Sequence, residues 1–330
     1  MTRAKITGVG HAVPERVVTN ADLEKLMDTT DEWIIERSGI KERRHVDETT
    51  SASDLAVEAS SVALDSAEVS PDDVDLIIFC TISSDYFFPG GAVQVQEKMG
   101  MKNIGSFDLR AACSGFVYGL SVADQFIRTG TYKTVLLIGA EVQSGALEFD
   151  TAHRDMAVLF GDGAGALVLQ SSKDDIGVLS THLHADGKHL HDLWLPAPGS
   201  NYKPFMSKQL IDDGLHTPSM NGREVFKNAV TRFPEVIHEA LDHNDLTMDD
   251  VALVIPHQAN LRISQAVAKR LGVDMEKIYS NIHKYGNTTA ASIPIAMSEA
   301  LAERRFGVGD NIILAAFGAG FTWGSAAIRW

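Results

Sequence analysis

Residues 71–80 read Pro-Asp-Asp-Val-Asp-Leu-Ile-Ile-Phe-Cys, and residues 248–257 read Met-Asp-Asp-Val-Ala-Leu-Val-Ile-Pro-His. Each stretch joins an acidic turn to an apolar run of strand length, which is typical of a strand buried inside a parallel sheet. An amphipathic segment follows each one, over 91–99 and 260–271, and glycine then marks a helix end. We interpret the pair as an internal repeat, although chance similarity between two strand–helix units gives the same pattern.

The repeat continues beyond these two strands. Each half has a turn before a long helical pattern, then an apolar strand, then a glycine-rich hairpin. The helices are predicted at 116–128 and 292–304, the strands at 133–139 and 311–317, and the hairpins at 161–165 and 318–324. Strand–helix alternation predicts an α/β fold with parallel sheets. We therefore predict two similar halves, residues 1–171 and 223–330, joined by a connecting strand and pocket loops over 172–222.

Two segments of the chain are rich in glycine or proline. The 161–165 glycines lack the G-x-G-x-x-G spacing of a phosphate loop, and predicted strands at 156–160 and 166–170 flank them, so a tight hairpin is favoured. Residues 196–222 carry four prolines and three glycines with little periodicity. Because an aperiodic loop of this length in a compact domain is usually functional, we expect a lid or wall over a pocket.

Composition excludes several classes of function. The chain has 330 residues, of which 45% are hydrophobic, and a formal net charge of −15. This predicts a folded protein with a large core and argues against general nucleic-acid binding, which needs a basic surface. No apolar run is long enough to span a membrane, and the first residues lack a signal-peptide core. With two cysteines, no disulfide framework is expected, so a reducing cytoplasm is predicted.

Cys113 is the most reactive candidate in the sequence. It stands in a polar, small-residue stretch directly before the 116–128 helical pattern. The free N–H groups and the dipole at a helix N-terminus stabilise a thiolate, so the pattern predicts a lowered pKa and a nucleophile. A buried, inert cysteine is the alternative reading.

His257 and Asn287 are the candidates for partners of this thiol. His257 follows a buried strand, and Asn287 precedes the last long helix; ligands bind at such strand ends. A structural histidine and a capping asparagine are the alternatives. The order Cys, His, Asn also occurs in papain-like proteases, but there an aromatic residue is expected near the cysteine, whereas Ser114 and Gly115 follow it here.

Three motifs carry a family resemblance: Ala-Ala-Cys-Ser-Gly-Phe at 111–116, Pro-His-Gln-Ala-Asn-Leu-Arg-Ile at 256–263 and Lys-Tyr-Gly-Asn-Thr-Thr-Ala-Ala-Ser-Ile-Pro at 284–294. The chain closely resembles β-ketoacyl-acyl-carrier-protein synthase III from Ile6 to Trp330. The resemblance implies the thiolase fold, a duplicated α/β core of layered helices and mixed sheets. It also implies an acyltransferase that initiates fatty acid synthesis in the cytoplasm as a homodimer.

The resemblance implies a reaction in two steps. Cys113 takes the acyl group of an acyl-CoA; malonyl-acyl-carrier protein then loses carbon dioxide and attacks the acyl-cysteine. His257 and Asn287 would donate hydrogen bonds to the enolate, and the backbone N–H groups of Cys113 and Ala319 would form an oxyanion hole. Ala319 departs from the family's glycine. The resemblance implies no metal ion and no cofactor beyond the substrates.

Binding residues are also implied by the resemblance. Those expected to contact CoA or the acyl chain are Trp33, Arg37, Arg154, Phe88, Gly222, Phe226 and Asn260. Phe88 matches a residue that reaches the partner's pocket in a homodimer, although Phe87 could hold this role instead. Arg223 stands where some relatives have asparagine, which leaves the polar contacts there open.

A basic helix face is expected to dock the carrier protein, which is acidic like this chain. The expected contacts are Gln258, Ala259, Asn260, Leu261, Arg262, Lys269 and Arg270. An ordinary solvated helix face is the alternative reading.

Related activities remain as alternatives. An enzyme of specialised, polyketide-like metabolism would keep the acyl-cysteine and transfer the acyl group without decarboxylation, or join two acyl-CoAs. An HMG-CoA synthase would need a glutamate base, for which no motif is seen. A thiolase would need a second active-site cysteine, and Cys80 lies inside an apolar strand. The primer acyl group is not predicted.

Overall fold

The computed structural model describes residues 2–330, which form thirteen strands and eleven α-helices. The strands are β1 Arg3–Ala12, β2 Val17–Thr19, β3 Glu42–Arg44, β4 Leu76–Cys80, β5 Gly105–Leu109, β6 Thr134–Glu141, β7 Gly163–Ser172, β8 Gly177–Ala185, β9 Leu193–Trp194, β10 Ser219–Met220, β11 Val251–Pro256, β12 Asn311–Gly318 and β13 Thr322–Arg329. The helices are α1 Asn20–Leu23, α2 Asp31–Ser38, α3 Ala52–Ala67, α4 Gly91–Lys98, α5 Gly115–Arg128, α6 Arg154–Ala157, α7 Lys208–Asp212, α8 Gly222–His243, α9 Leu261–Leu271, α10 Ile282–Tyr285 and α11 Ser292–Ala302.

Two mixed sheets repeat the same topology. The first has the order β1-β7-β6-β4-β5, with β4 parallel to β5 and β6, and β7 antiparallel to β1 and β6. The second has the order β8-β13-β12-β11, with β11 parallel to β12, and β13 antiparallel to β12 and β8. A parallel bridge from Val254 to Ile278 occupies the position that β5 has in the first sheet. The order and direction of the strands confirm the predicted repeat. The boundaries at residues 171 and 222 stay a prediction.

The sheets and helices form five layers. Helices α5 and α11 lie between the two sheets, α3 and α4 cover the outer face of the first sheet, and α8 and α9 cover that of the second. Strand β4 is covered on both faces. Ile78 and Cys80 face α5, while Ile77 and Phe79 face α3 and α4, and all four are buried. Since side chains alternate along a strand, a continuous apolar run is needed where both faces of a sheet are covered.

Two short turns meet where the halves join. Residues 112–114 precede α5 and residues 289–291 precede α11, and the turns contact each other. The first residue of each turn has a left-handed backbone, with φ of 44° at Ala112 and 49° at Thr289. Gly139 of β6 lies so close that a Cβ there would stand 2.5 Å from the carbonyl oxygen of Ala290. The repeat therefore extends to the strained backbone at the centre of the molecule.

The 161–165 segment differs from its prediction. Residues 154–157 form helix α6 and not part of a strand, and Gly163 and Gly165 lie within β7, which pairs with β6 across a long connection. A short buried helix and a strand give the same continuous apolar run, so periodicity alone misassigned it. Glycine is required at 165 because α11 packs against it: a Cβ would stand 2.7 Å from Pro294.

The 196–222 segment is folded onto the protein. It contains α7 and the short strand β10, which pairs with β9, and it buries Ala197 and Leu210.

Within residues 2–330, no helix combines the length and apolar character needed to cross a membrane.

Candidate active site

One pocket gathers most of the predicted site residues. It has a volume of about 480 Å³ and runs from the exposed Arg37 of α2 to a buried floor. The floor is formed by Cys113, His257 and Asn287, which are 7%, 2% and 7% exposed. The remaining predicted residues on its walls are Trp33, Gly222, Phe226, Ala259, Asn260 and Arg262. Residues of both halves thus face one cavity, as the strand-end argument predicts.

Cys113 sits in the turn that begins α5. The backbone N–H groups of Ala319 and of Cys113 itself lie near its sulfur and favour the thiolate. Strand β12 ends against the thiol at Gly318, where a Cβ would stand 2.4 Å from that of Cys113. Ala319, where the family has glycine, has no positive φ, so its side chain adds no backbone strain. N–H groups near a nucleophile are suited to stabilise an oxyanion that forms there.

The pKa of Cys113 is opposite to the prediction from its helix position. Burial, with the nearby Glu141 carboxylate second, raises the pKa of the thiol to about 12, and the two N–H groups only partly offset this. The free-energy cost of burying the thiolate is larger than the stabilisation that the helix N-terminus provides. The prediction of a lowered pKa is therefore wrong, and the thiol is protonated near neutral pH.

Glu141 is a site-region residue that the sequence reading missed. It closes β6, is fully buried, and accepts hydrogen bonds from the hydroxyls of Ser83 at 2.6 Å and Thr81 at 3.2 Å and from the N–H of Ile82 at 3.2 Å. Burial raises the pKa of this carboxyl to about 7. The available signal was a glutamate that ends an otherwise apolar strand.

His257 is held by its backbone and by one ring nitrogen. Its N–H donates to the carbonyl of Ala315 at 2.8 Å, and Nδ1 lies 2.6 Å from Oγ of Ser292. Nε2 is buried and has no hydrogen-bond partner among residues 2–330. Burial lowers the pKa of the ring to about 3, so the imidazole is neutral at physiological pH. A neutral ring with a free nitrogen in a dry pocket is ready to bind a substrate atom.

Asn287 is fixed on its backbone and through its side-chain oxygen. Its N–H donates to the Leu159 carbonyl at 2.8 Å, and its carbonyl accepts from Gly161 at 3.1 Å. Its Oδ1 accepts the N–H of Thr289 at 2.9 Å, so the side chain does cap the 289–291 turn. This bond turns the amide so that Nδ2, which has no partner within the described part of the chain, remains as a hydrogen-bond donor.

An aromatic and two cations stand at the mouth. The guanidinium of Arg37 lies 4.6 Å from the centre of the Trp33 ring, and that of Arg154 lies 5.0 Å from it. Arg154 contacts Trp33 without lining the pocket itself. An aromatic ring with two cations beside it offers both stacking and charge to an anionic, flat ligand.

Some predicted residues lie elsewhere. Phe87 and Phe88 do not line the pocket of their own chain and are 66% and 81% exposed. Phe87 packs edge-on against Phe205, with ring centres 5.4 Å apart. Gln258 is 2% exposed, and its side-chain amide donates to the Pro256 carbonyl at 2.7 Å. Because Gln258 faces inward, it cannot offer its side chain to a docking partner.

The exposed cations of α9 are available to a partner. Arg262, Lys269 and Arg270 are exposed, and within residues 2–330 none of them forms an ion pair with a carboxylate. Asn260 caps the helix, accepting the N–H of Arg262 at 2.9 Å, and its Nδ2 donates to the carbonyl of Arg37.

Among residues 2–330, no set of three or more His, Cys, Asp or Glu is arranged to hold a metal ion.

Comparisons with known proteins identify the family of this chain. A profile for 3-oxoacyl-[acyl-carrier-protein] synthase III matches residues 107–187, and its C-terminal counterpart matches residues 241–330. A β-ketoacyl-[acyl-carrier-protein] synthase III of Clostridioides difficile is 48% identical over 100% of this chain and 99% of its own. The chain belongs to the β-ketoacyl-acyl-carrier-protein synthase III family.

Solved structures agree with the family's fold. The synthase III of Aquifex aeolicus has a TM-score of 0.91 at 44% identity, covering 99% of this chain and 100% of that one. The priming β-ketosynthase of the R1128 polyketide pathway has a TM-score of 0.90 at 31% identity, covering 99% and 96%. This synthase III family member therefore has the thiolase-like fold and is an acyltransferase of the condensing type.

The raised pKa of Cys113 predicts how the free thiol reacts. Because only the thiolate attacks, alkylation by iodoacetamide should be slow at pH 7 and rise about tenfold per pH unit up to pH 9. The measurement is the rate of adduct formation by intact mass. The Cys113→Ser variant is the control, since it retains the buried Cys80. A rate that levels off below pH 8 would contradict the raised pKa.

Proposed function

We propose that this enzyme loads the acyl group of an acyl-CoA onto Cys113 and condenses it with malonyl-acyl-carrier protein. Carbon dioxide is lost, and the product is a 3-oxoacyl-carrier protein that starts fatty acid synthesis. The observation that carries the proposal is the shared pocket of Cys113, His257 and Asn287. A nucleophile beside two N–H groups, with two further neutral side chains opposite, suits acyl transfer followed by enolate formation.

The first step exchanges one thiol for another. The Cys113 sulfur attacks the thioester carbon, the new oxyanion lies against the N–H groups of Cys113 and Ala319, and the bond to the CoA sulfur breaks. The proton that Cys113 gives up equals the one that the CoA thiol gains, so no net proton is taken up or released. Burial disfavours a charged sulfur, which is why the pKa of Cys113 is raised. The uncharged acyl-cysteine is therefore more stable on the buried floor of the pocket than a thiolate is.

The second step develops negative charge away from the sulfur. As the malonyl carboxylate leaves as carbon dioxide, its electron pair moves to the thioester carbonyl and forms an enolate. Nδ2 of Asn287 and the free ring nitrogen of His257 are the donors we assign to that oxygen. The enolate carbon then attacks the acyl-cysteine, and the released Cys113 sulfur takes one proton from solvent.

Substrate binding follows from the pocket's length. We assign the nucleotide of CoA to Trp33, Arg37 and Arg154 at the mouth, where a ring and two cations suit adenine and phosphate. The pantetheine arm would pass Gly222, Phe226 and Asn260 on the way to Cys113. The nucleophile and all hydrogen-bond donors are then protein groups, so we propose no metal ion and no further cofactor.

Carrier protein would dock on α9. Arg262, Lys269 and Arg270 supply local positive charge on a chain whose net charge is −15. Ala259, which lines the pocket, and Leu261 come shortly before Arg262 in the chain. The guanidinium of Arg262 lies 5.8 Å from the ring centre of Phe226. Arg262 is therefore next to the path that we propose for the pantetheine arm. Opposite local charge raises the rate of encounter even when net charges repel.

We also propose a homodimer in the cytoplasm. Tyr86, Phe87, Phe88, Phe205 and Met206 form an exposed apolar group on one chain, which is unusual for a surface in contact with water. Phe87 is packed on Phe205, so the freer Phe88 is the residue we assign to the partner's pocket. Both cysteines are unpaired, in keeping with a reducing compartment.

A second candidate is a priming synthase of polyketide-like metabolism. The likeness to the R1128 priming enzyme favours it, but that identity is 31%, against 48% for the Clostridioides difficile relative. The two candidates share the cysteine chemistry and differ in the acyl primer.

The two steps should separate by mutation. With a panel of acyl-CoAs, Cys113→Ala should form no acyl adduct, and Cys80→Ala, a matched change in a buried strand, should keep it. Asn287→Ala should keep adduct formation within about threefold and lose decarboxylation by roughly 10²- to 10³-fold, as removal of an oxyanion donor does. Intact mass and carbon dioxide release give the two readings. Full condensation by Cys113→Ala, or an adduct on another residue, would overturn the proposal.

Charge reversal tests the docking surface. Arg262→Glu with Lys269→Glu should raise the KM for malonyl-carrier protein about tenfold at low salt, with less effect at high salt and on acyl-CoA. Lys133→Glu with Lys173→Glu changes the net charge equally at exposed positions outside α9. Equal effects of the two pairs, or none, would remove α9 as the docking site.

The dimer has its own test. Sedimentation should give twice the chain mass, and Phe88→Ala should change the longest acyl-CoA that forms an adduct while the mass stays dimeric. Phe87→Ala is the matched control, because its ring packs within its own chain. A monomeric mass, or a change in acyl preference caused by Phe87→Ala alone, would contradict this assignment.

A further inference from the structure

The proton on His257 depends on Ser292, a residue that the sequence reading did not single out. Ser292 is the first residue of α11 and is 2% exposed. Its Oγ lies 2.6 Å from Nδ1 of His257, 2.9 Å from the carbonyl of Thr289 and 3.4 Å from the backbone nitrogen of Gln258. A serine hydroxyl has one proton to donate and two lone pairs. Its single proton can therefore serve His257 or Thr289, but not both.

The two choices give His257 opposite roles. The ring is neutral, so it carries one N–H. If Ser292 donates to Nδ1, the ring proton must be on Nε2, and Nε2 becomes a donor in the pocket. If Ser292 donates to Thr289, then Nδ1–H donates to Oγ, and Nε2 presents a lone pair. The partner of one ring nitrogen thus sets what the other nitrogen offers.

Two observations favour donation to His257. The 2.6 Å separation from Nδ1 is the shortest that Oγ makes. The Thr289 carbonyl already accepts the backbone N–H of Ser292, so it does not depend on the hydroxyl. The N–H of Gln258 points at Oγ and occupies one of its lone pairs. These groups are hydrogen-bonded in either arrangement, so the short distance to Nδ1 and the second donor at the Thr289 carbonyl decide between them.

We propose that Ser292 is the positioning residue that holds the proton of His257 on Nε2, making the ring a hydrogen-bond donor to substrate. This rests on the proposed function, because that donor is needed at the enolate oxygen in the second step. The opposite tautomer would place a lone pair against an oxygen that gains negative charge, and would hinder decarboxylation. Acyl transfer to Cys113 uses the N–H groups of Cys113 and Ala319 and does not need this proton.

Kinetics of the separate steps test the role. Ser292→Ala should lower kcat for decarboxylation by acylated enzyme by roughly 10- to 100-fold, somewhat less than loss of an oxyanion donor itself. KM for malonyl-carrier protein and the rate of Cys113 acylation should change less than about threefold. Ser292→Thr, which keeps the hydroxyl, should recover most of the rate.

Ser325→Ala is the matched control for folding. Ser325 is fully buried in β13 of the same half, and its hydroxyl donates to the Val236 carbonyl at 2.7 Å. It should lose a similar hydrogen bond without changing the ratio of decarboxylation to acylation. If Ser292→Ala leaves decarboxylation unchanged, or reduces both steps equally as Ser325→Ala does, the positioning role is refuted.

Nitrogen-15 NMR of histidine-labelled protein reads the tautomer directly. The resonances of His257, assigned by their absence in His257→Gln, should show Nε2 protonated in the wild-type protein. Protonation on Nδ1 in the wild type would overturn the proposal without any variant. Absence of Cys113 acylation and decarboxylation in the wild type would instead refute the proposed function, so the two failures are distinct.

Discussion

The contact between the turns at 112–114 and 289–291 is the constraint on which the rest of the site depends. Each turn starts one of the two helices that lie between the sheets, and each begins with a left-handed residue. Strained backbone of this kind persists only where the surrounding packing determines it. Here two sheets and two helices fix both turns, so the halves meet in one arrangement. Cys113 in one turn and the Asn287–Thr289 bond of the other are thereby held relative to each other.

This arrangement explains why the site's chemistry avoids permanent charge. Its floor is buried, and burial raises the pKa of Cys113, lowers that of His257 and raises that of Glu141. All three shifts favour the neutral form of the group. The floor is therefore a set of dipoles, which stabilise charge as it develops on a substrate. A resident thiolate or imidazolium would have to be desolvated at a standing cost in stability.

Much of the fold was predictable from sequence because it depends on patterns that repeat. The strands at 71–80 and 248–257 and the helices after Cys113 and Asn287 follow from apolar periodicity and glycine stops, and the structure has them. The 156–160 segment was misassigned because a buried helical turn and a strand share one pattern. Cys113 and His257 could be found by position, and Glu141 is marked only as a charged residue at the end of an apolar strand. Ser292 could not be found, because its partners come from other parts of the chain. The pKa of Cys113 was misjudged for the same reason: depth of burial cannot be read locally.

Gly318 has a consequence for how such enzymes diverge. A single added carbon at this position would displace the nucleophile, and Gly139 behind it is as tightly confined. The floor of the pocket thus has almost no freedom to vary, whereas Trp33, Phe226 and Phe88 lie where side chains can change without moving the backbone. Selection for a new acyl primer should therefore act on these outer residues. In this architecture, residues near the surface of the pocket set which substrate is accepted, and residues at its floor set the chemistry.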